Sequence, residues 1–181
     1  MENGDLLNFD LRNNNSSCLY SLTKRDFLLS SQTNGSVQVY RTDQLPRLPL
    51  VDTIQGYDVN SYAIPRKIQS VIISRKEYVL TVGADCKIRI RHLLKGKLKP
   101  LKTFQTGERV FSMVYLEDYK MLVTTHNTQS IKFWKFPSGR LESRLDLKMA
   151  NCYGSFFVRD KNSLGVFSIT ANKIKIVGLS P

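Results

Sequence analysis

Residues that could perform catalysis or hold a metal are few and scattered in this chain of 181 residues. There are two histidines, and His92 stands among Arg89, Arg91 and Lys95, where the positive charge disfavours both protonation and metal binding. The three cysteines lie far apart, with no C-x-x-C pair, at Cys18, Cys86 and Cys152. No serine-hydrolase, phosphate-loop, dinucleotide-binding or zinc-protease motif occurs. The sequence therefore predicts no enzyme, no catalytic, metal or cofactor-binding residues, no cofactor and no small-molecule substrate.

The second feature with chemical meaning is the charge. Lysine and arginine number 27 against 15 aspartates and glutamates, which gives a formal net charge of +12 and a pI near 9.8. Residues 1–90 hold 11 basic and 9 acidic residues, whereas residues 91–181 hold 16 basic and 6 acidic residues. This asymmetry favours a partner with negative potential, either a nucleic acid or an acidic protein.

Ten basic residues in two groups are the candidate contacts for a partner or for phosphate groups. The first group lies in a segment without acidic residues between Asp85 and Glu108. Its members are Lys87, Arg89, Arg91, Lys95, Lys97, Lys99 and Lys102, and the second group is Lys132, Lys135 and Arg140. Two interpretations stay open. The groups form one stripe that contacts RNA, DNA or an acidic protein, or they are a solvated face whose lysines protect strand edges.

The elements that must position these residues repeat along the chain. Four windows of 14 residues align without gaps, and their first residues lie 51, 43 and 43 positions apart. The windows are Phe27–Tyr40, Tyr78–Arg91, Met121–Trp134 and Leu164–Val177. Each window has an apolar run, a polar turn and a segment of strict apolar–polar alternation. This order predicts two antiparallel strands joined by a tight turn.

Further apolar segments flank each window. The segments before the windows are Ser17–Leu22, Ile68–Ser74, Val110–Leu116 and Cys152–Arg159, and those after the first three are Leu50–Gln55, Leu101–Gln105 and Leu141–Leu147. The chain is therefore predicted to be all-β, with about four four-stranded antiparallel sheets. The last repeat has no segment for a fourth strand.

This pattern resembles the WD40 repeat of β-propellers, which has four strands per blade and a period of about 40–45 residues. The resemblance is carried by Ala84–Ile90, similar to the family's turn aspartate and third strand, and by Ile131–Trp134, which places the only Trp at the family's Trp position. Pro137–Leu141 resembles the family's turn into the outer strand. The structural alternative is a β-sandwich, which the repeated 43-residue step argues against.

The repeats depart from the family pattern. The Gly-His pair is absent, and Gly56-Tyr57 and Gly107-Glu108 occupy similar places. The Trp position holds Tyr40, Arg91, Trp134 and Val177. We therefore expect no repeat to form the family's Asp–His–Ser–Trp hydrogen-bond network, and we expect apolar packing between blades to stabilise the fold.

Four blades are few for a WD40 ring. The predicted blades are 17–57, 58–107, 108–149 and 150–181, preceded by an N-terminal segment, 1–16, in which Leu6–Leu11 could form a latching strand. Three interpretations stay open: a portion of a longer protein, a ring completed by another chain or a second copy, or a small closed ring. In each of them the propeller is partial or unusually small.

The resemblance implies a non-catalytic scaffold that binds proteins within a larger assembly. The alternative is a basic, nucleic-acid-contacting subunit of a ribonucleoprotein or chromatin-type complex. An insertion in the first repeat carries Tyr57 and Tyr62, which are either loop contacts for a partner or parts of a tolerated insertion. No apolar run approaches the ~18 residues that span a bilayer, and no signal peptide is evident. We therefore expect no membrane association and an intracellular location, cytoplasmic or nuclear.

Overall fold

The computed structural model describes residues 16–22, 26–32, 34–45, 47–55, 65–83, 85–148, 152–158, 163–168 and 173–178. These ranges contain fifteen strands and no helix, and the strands form four antiparallel sheets. Three sheets have four strands and the last has three. The all-β prediction is confirmed. The predicted strand Leu6–Leu11 and the loop residues Tyr57 and Tyr62 lie outside the described residues.

Each sheet is built from strands that are consecutive in the chain. Sheet 1 contains β1 (Ser16–Leu22), β2 (Phe27–Gln32), β3 (Val37–Arg41) and β4 (Leu50–Ile54). Sheet 2 contains β5 (Pro65–Ile73), β6 (Lys76–Gly83), β7 (Lys87–Leu94) and β8 (Lys97–Gln105). Sheet 3 contains β9 (Val110–Leu116), β10 (Met121–His126), β11 (Ser130–Lys135) and β12 (Arg140–Asp146). Sheet 4 contains β13 (Cys152–Val158), β14 (Ser163–Ser168) and β15 (Lys173–Gly178).

Strand β8 begins four residues earlier than the sequence predicts. The turn before it consists of Lys95 and Gly96, whose φ angles are +50° and +81°, as a two-residue hairpin turn of type I′ requires. Pro100 lies inside the strand, opposite Arg91, next to a β-bulge. A proline without an N–H is tolerated there because β8 is the outer edge of its sheet.

In the fourth hairpin the strand pairing is shifted by one residue relative to the gap-free alignment of the four windows. In sheet 3, Leu122 pairs with Trp134, so the alignment predicts that Gly165 pairs with Val177. The structure pairs Leu164 with Val177 instead. This shift of one residue brings a leucine, rather than a glycine, into the core against sheet 3.

Three apolar clusters hold the sheets together, one in each space between neighbouring sheets. Leu29 and Val39 of sheet 1 pack with Val79 of sheet 2. The other two clusters join Leu80 and Ile90 to Leu122 and Trp134, and Val123 and Ile131 to Leu164. Alternation along a strand sends successive side chains into different clusters, because both faces of an inner sheet are covered. Each fully buried aliphatic side chain contributes roughly 1.5–3 kcal/mol.

The turn between the third and fourth strands also packs on the preceding sheet. A Cβ atom added to Gly96 would lie 2.7 Å from Cγ1 of Val51, and one added to Gly139 would lie 2.5 Å from Cδ1 of Phe104. The backbone N–H of Leu98 donates a hydrogen bond to Asp52 Oδ2 at 2.9 Å. The two glycines therefore let a turn approach its neighbour closely.

The sheets follow one another in an open arc. The first strands of successive sheets pack on each other, β1 on β5, β5 on β9 and β9 on β13. Among the described strands, none in sheet 4 packs extensively on sheet 1. These strands therefore do not close into a four-bladed ring.

Replacement of Gly139 tests how the turns pack on the neighbouring sheet. Gly139 has a φ of +68°, so Gly139→Ala costs about 1–2 kcal/mol for the left-handed backbone and about 1–3 kcal/mol for the contact with the Phe104 ring. Gly107→Ala is the matched control, because its φ is +73° but only Lys132 Nζ lies within reach, at 4.0 Å. Urea unfolding should give a clearly larger loss for Gly139→Ala. Equal losses would contradict the close packing of this turn.

Candidate functional site

Three of the ten predicted basic contacts have their side chains inside the fold. Arg91 is 5% exposed and donates a hydrogen bond to Thr81 Oγ1 at 2.9 Å. Lys132 is 6% exposed, and Arg89 lies 2.5 Å from Asp85 with both side chains largely buried. This corrects the sequence-based stripe, in which every basic residue of an alternating strand was taken to face solvent. In a sheet covered on both faces, both sets of alternating side chains meet a neighbouring sheet.

Four of the remaining residues are exposed lysines on sheet 2. Lys97, Lys99 and Lys102 pair with Leu94, His92 and Ile90, respectively, and Ile90 packs against sheet 3. The three lysines therefore share the face of sheet 2 that is turned towards sheet 3, at its outer strand. Lys95 lies in the turn just before them.

Sheet 3 contributes two more exposed basic residues beside this group. Lys135 and Arg140 pair across the start of β12, at the turn whose Gly139 contacts Phe104 of β8. Arg140 also forms an ion pair with Glu142 at 2.7 Å. We call the exposed set the basic rim: Lys95, Lys97, Lys99, Lys102, Lys135 and Arg140. Lys87 is half-buried at the opposite end of β7.

A partly buried charge network joins sheets 2 and 3 around Lys132. Its centre is Glu108, whose Oε2 accepts hydrogen bonds from Ser130 at 2.9 Å and Thr128 at 2.5 Å. The same oxygen lies 3.3 Å from Lys132 Nζ, and Oε1 accepts a hydrogen bond from Arg144 at 3.0 Å. Both carboxylate oxygens are thus occupied by donors within the fold.

The network also fixes the connection between sheets 2 and 3. Lys132 Nζ donates to the backbone carbonyl of Thr106 at 2.7 Å. The Thr106 hydroxyl donates to the carbonyls of Cys86 at 2.8 Å and Glu108 at 2.6 Å. A side chain of sheet 3 therefore holds the short link that leaves sheet 2.

Sheet 3 also contains a hydrogen-bonded chain from its tryptophan to its histidine. Trp134 Nε1 donates to Thr124 Oγ1 at 2.8 Å, and this oxygen lies 2.7 Å from His126 Nε2. His126 Nδ1 is 3.8 Å from Glu108 Oε2. Sheet 3 therefore has a Trp–Thr–His chain in place of the family's Asp–His–Ser–Trp network, and the distance between His126 and Glu108 is too long for a hydrogen bond. The histidine comes from β10 rather than from a Gly-His pair, and Glu108 stands where the histidine of that pair would be.

The surroundings shift the pKa values of one acidic and one basic member of this network. For Glu108, burial acts to raise the pKa, but the hydrogen bonds from Thr128, Ser130 and Lys132 and the charge of Lys132 outweigh it and lower the pKa to about 2. For His126, burial and the charge of Lys132 lower the pKa to about 4. At neutral pH the pair is therefore an ionised Glu108 and a neutral imidazole.

This arrangement is suited to holding structure rather than to catalysis. His126 is 0% exposed, and the carboxylate of Glu108 is already bound by four side chains. Within the described part of the chain, no group of three or more His, Cys, Asp or Glu residues could hold a metal ion. No helix among the same residues is long and apolar enough to cross a membrane.

A cavity of about 290 Å³ lies between sheets 3 and 4, lined by Leu116, Tyr119, Met121, Phe133, Ser143, Leu145, Val177 and Gly178. In the corresponding space between sheets 2 and 3, Trp134 packs on Phe104 with ring centroids 5.2 Å apart. Phe136 fills the same space beside Tyr78, at 5.8 Å. The cavity exists because Val177 stands at the Trp position. This substitution was visible in the sequence, but the resulting gap was not.

Sheet 4 exposes an apolar residue at a strand position that neighbouring sheets cover elsewhere in the arc. Val177 packs towards sheet 3, so Ile176 belongs to the opposite face, which we call the end face. Ile176 is 69% exposed, whereas Val39 and Ile90, at the same position of sheets 1 and 2, are 0% and 1% exposed.

The pKa of His126 makes the stability of the fold depend on pH. The unfolded chain binds a proton at His126 near pH 6.5, and the folded chain does so only near pH 4. Stability is therefore complete above pH 6.5 and falls by about 3 kcal/mol as the pH drops to 4. Urea unfolding between pH 7 and pH 4 measures this loss.

The other histidine of the chain provides the control for this pH dependence. His126→Gln should remove most of the loss between pH 6.5 and 4, although it costs stability at neutral pH. His92→Gln should leave the loss unchanged, because His92 is a half-buried residue outside the network. A wild-type chain equally stable at pH 7 and pH 4 would contradict the assignment of a neutral, buried His126.

Comparison with known proteins places this geometry among propellers. No protein-family model matches the chain, and no curated protein matches its sequence. Solved structures do match. The β-propeller domain of Myceliophteria thermophila Cps50 (Swd1) superposes with a TM-score of 0.74 at 12% identity, covering 91% of this chain and 51% of that chain.

Two further structures agree with it. The WD40 β-propeller domain of Doa1 has a TM-score of 0.68 at 13% identity, covering 89% of this chain and 50% of that one. Chaetomium thermophilum Raptor has a TM-score of 0.71 at 18% identity, covering 92% of this chain and 16% of that one. The chain therefore has the fold of a WD40 β-propeller, and it spans about half the length of the Swd1 and Doa1 propellers.

Proposed function

We propose that the chain is a non-catalytic, intracellular scaffold, cytoplasmic or nuclear, that binds a partner protein through the end face of sheet 4. The observation that carries the proposal is the exposure of Ile176, at a position that is buried in sheets 1 and 2. The partner we expect presents an apolar β-sheet face, because that is what covers the corresponding faces of the inner sheets. The fold alone does not specify this function, since propellers host many activities.

Burial of the end face is physically favourable. Covering one exposed isoleucine side chain contributes roughly 1.5–3 kcal/mol, and an apolar face left in water promotes association. Among the described strands none pairs with the outer edge of β15, and the strand of a partner could pair with it. WD40 propellers typically act as protein-interaction scaffolds, which agrees with this role.

Photo-cross-linking at single positions tests the proposal. A benzoylphenylalanine at position 176 should give a covalent adduct between this chain and a protein in cells that express it. The same group at Leu101, an exposed leucine on the outer strand of sheet 2, should give none. Cross-links from position 176 only to residues of the same molecule would contradict a docking role for the end face.

A second candidate function rests on the basic rim, which could contact the phosphate backbone of a nucleic acid. Lys97, Lys99 and Lys102 share one face of an outer strand. Among the described residues none of these three lysines forms an ion pair, so their charges are available to a phosphate. Contacts of this kind position a nucleic acid without reading its sequence.

Two triple variants, which lose the same charge at different places, test the second candidate function. Lys95→Ser, Lys97→Ser and Lys99→Ser, combined in one chain, should strongly weaken binding to an RNA or DNA duplex measured by fluorescence anisotropy. The slope of log affinity against log salt should fall by about 0.9 for each lost phosphate contact.

The control removes the same charge elsewhere, from the exposed residues Lys67, Lys76 and Lys120. This control should keep both the affinity and the slope. Equal effects of the two triple variants would mean that the basic rim is not a binding site and that only net charge attracts the nucleic acid.

A further inference from the structure

We infer that the cavity between sheets 3 and 4 is a binding site for a small, uncharged aromatic molecule of one or two flat rings. The site is separate from the proposed docking face, because Val177 lines the cavity whereas Ile176 belongs to the opposite face of β15. Three observations carry the inference: the side chains that this space lacks, the rings that remain on its walls, and the position of its mouth.

The space between sheets 2 and 3 shows what fills this part of the fold elsewhere in the arc. There, Trp134 packs on Phe104 with ring centroids 5.2 Å apart. Phe136 packs edge-on against Tyr78, with ring centroids 5.8 Å apart. These four side chains belong to one apolar cluster. This part of the space between two sheets therefore has the size and shape of packed aromatic rings.

Smaller side chains stand at three of these four positions in the space between sheets 3 and 4. They are Val177, Leu145 and Met121, in place of Trp134, Phe104 and Tyr78. All three line the cavity of about 290 Å³. The missing volume is therefore that of aromatic rings. A cavity of this size is large enough for a ligand, because an apolar cavity of about 150 Å³ already takes up benzene.

Two aromatic rings remain on the walls of the cavity. Tyr119 and Phe133 line it and pack at the edge of the apolar cluster that joins sheets 3 and 4. Offset or edge-to-face contacts with these rings favour an aromatic ligand over a saturated one of equal size by about two- to tenfold. None of the eight lining residues is acidic or basic, which favours an uncharged ligand.

The mouth of the cavity lies between the outer parts of the two sheets. Ser143 and Leu145 belong to β12, the outer strand of sheet 3, and Gly178 belongs to β15. All three line the cavity and are exposed to solvent. The Ser143 hydroxyl gives the mouth a group that can accept a hydrogen bond from a ligand N–H or O–H. A ligand with one polar edge can therefore bury its rings and keep that edge at the mouth.

Methyl NMR of the full chain tests the inference, with indole as the probe. The chain has four methionines, of which Met121 lines the cavity and Met113 is buried in the filled space between sheets 2 and 3. Indole should shift the Met121 methyl signal in a saturable way, with a dissociation constant of about 1 mM. The Met113 signal should stay in place, and the variant Met121→Leu assigns the Met121 signal. An unmoved Met121 signal, or equal shifts of both signals, would overturn the inference.

Filling the cavity is the second arm of the experiment. Val177→Trp restores the ring that sheet 3 has at this position, and it should weaken indole binding at least about tenfold by occupying the site. Ile176→Trp is the matched control, because it adds the same side chain one residue away, at a position that is 69% exposed on the opposite face. This control should keep the affinity of the wild-type chain. Unchanged binding to a folded Val177→Trp chain would overturn the inference, and the titration of the wild-type chain decides it if this variant does not fold.

A pair of probes matched in size tests the chemical class of the ligand. Phenol and cyclohexanol each carry one hydroxyl group on a six-membered ring, but only phenol is aromatic. Phenol should bind about two- to tenfold more tightly, through its contacts with Tyr119 and Phe133. Equal dissociation constants for the two probes would overturn the assignment of an aromatic ligand, because the cavity would then select only for apolar volume.

Discussion

The fold depends on the need of every sheet to have both of its apolar faces covered. An isolated sheet of this type cannot bury its residues, because alternation sends half of them to each side. Leu80 and Val79 are neighbours in β6, yet they belong to different apolar clusters, one shared with sheet 3 and one with sheet 1. An inner sheet is therefore stabilised by a neighbour on each of its two faces. In sheet 4 the same alternation leaves Ile176 exposed on the face turned away from sheet 3.

Polar interactions settle how the sheets are connected rather than how strongly they attract each other. The link between sheets 2 and 3 turns around Glu108, which is held by the charged side chains of Lys132 and Arg144 and by two hydroxyl groups. A buried carboxylate is costly unless it is fully hydrogen-bonded. Here the donors come from β11, β12 and the turn before β11, so the position of the link and the pairing of these strands are fixed together.

Two of the exposed surfaces are candidates for function. The basic rim lies on the outer strands of sheets 2 and 3, where edge lysines remain in solvent. The end face belongs to sheet 4, the last sheet that the described residues form. The first is basic and suits phosphate or acidic groups, whereas the second exposes Ile176 and suits an apolar partner surface. A scaffold that uses both could hold a protein and a polyanion at the same time.

The sequence by itself determined the repeating unit, the all-β class and nearly all strand positions, because period-two alternation and turn residues are local properties. It also located the lysines of the basic rim. Only the tertiary structure decided that Arg91 and Lys132 are buried, since a strand pattern does not say which of its two faces a neighbour covers. The Glu108–His126 network, the shifted pairing of Leu164 and the exposure of Ile176 likewise depend on which sheets become neighbours. That adjacency is a non-local property, and no window of sequence contains it.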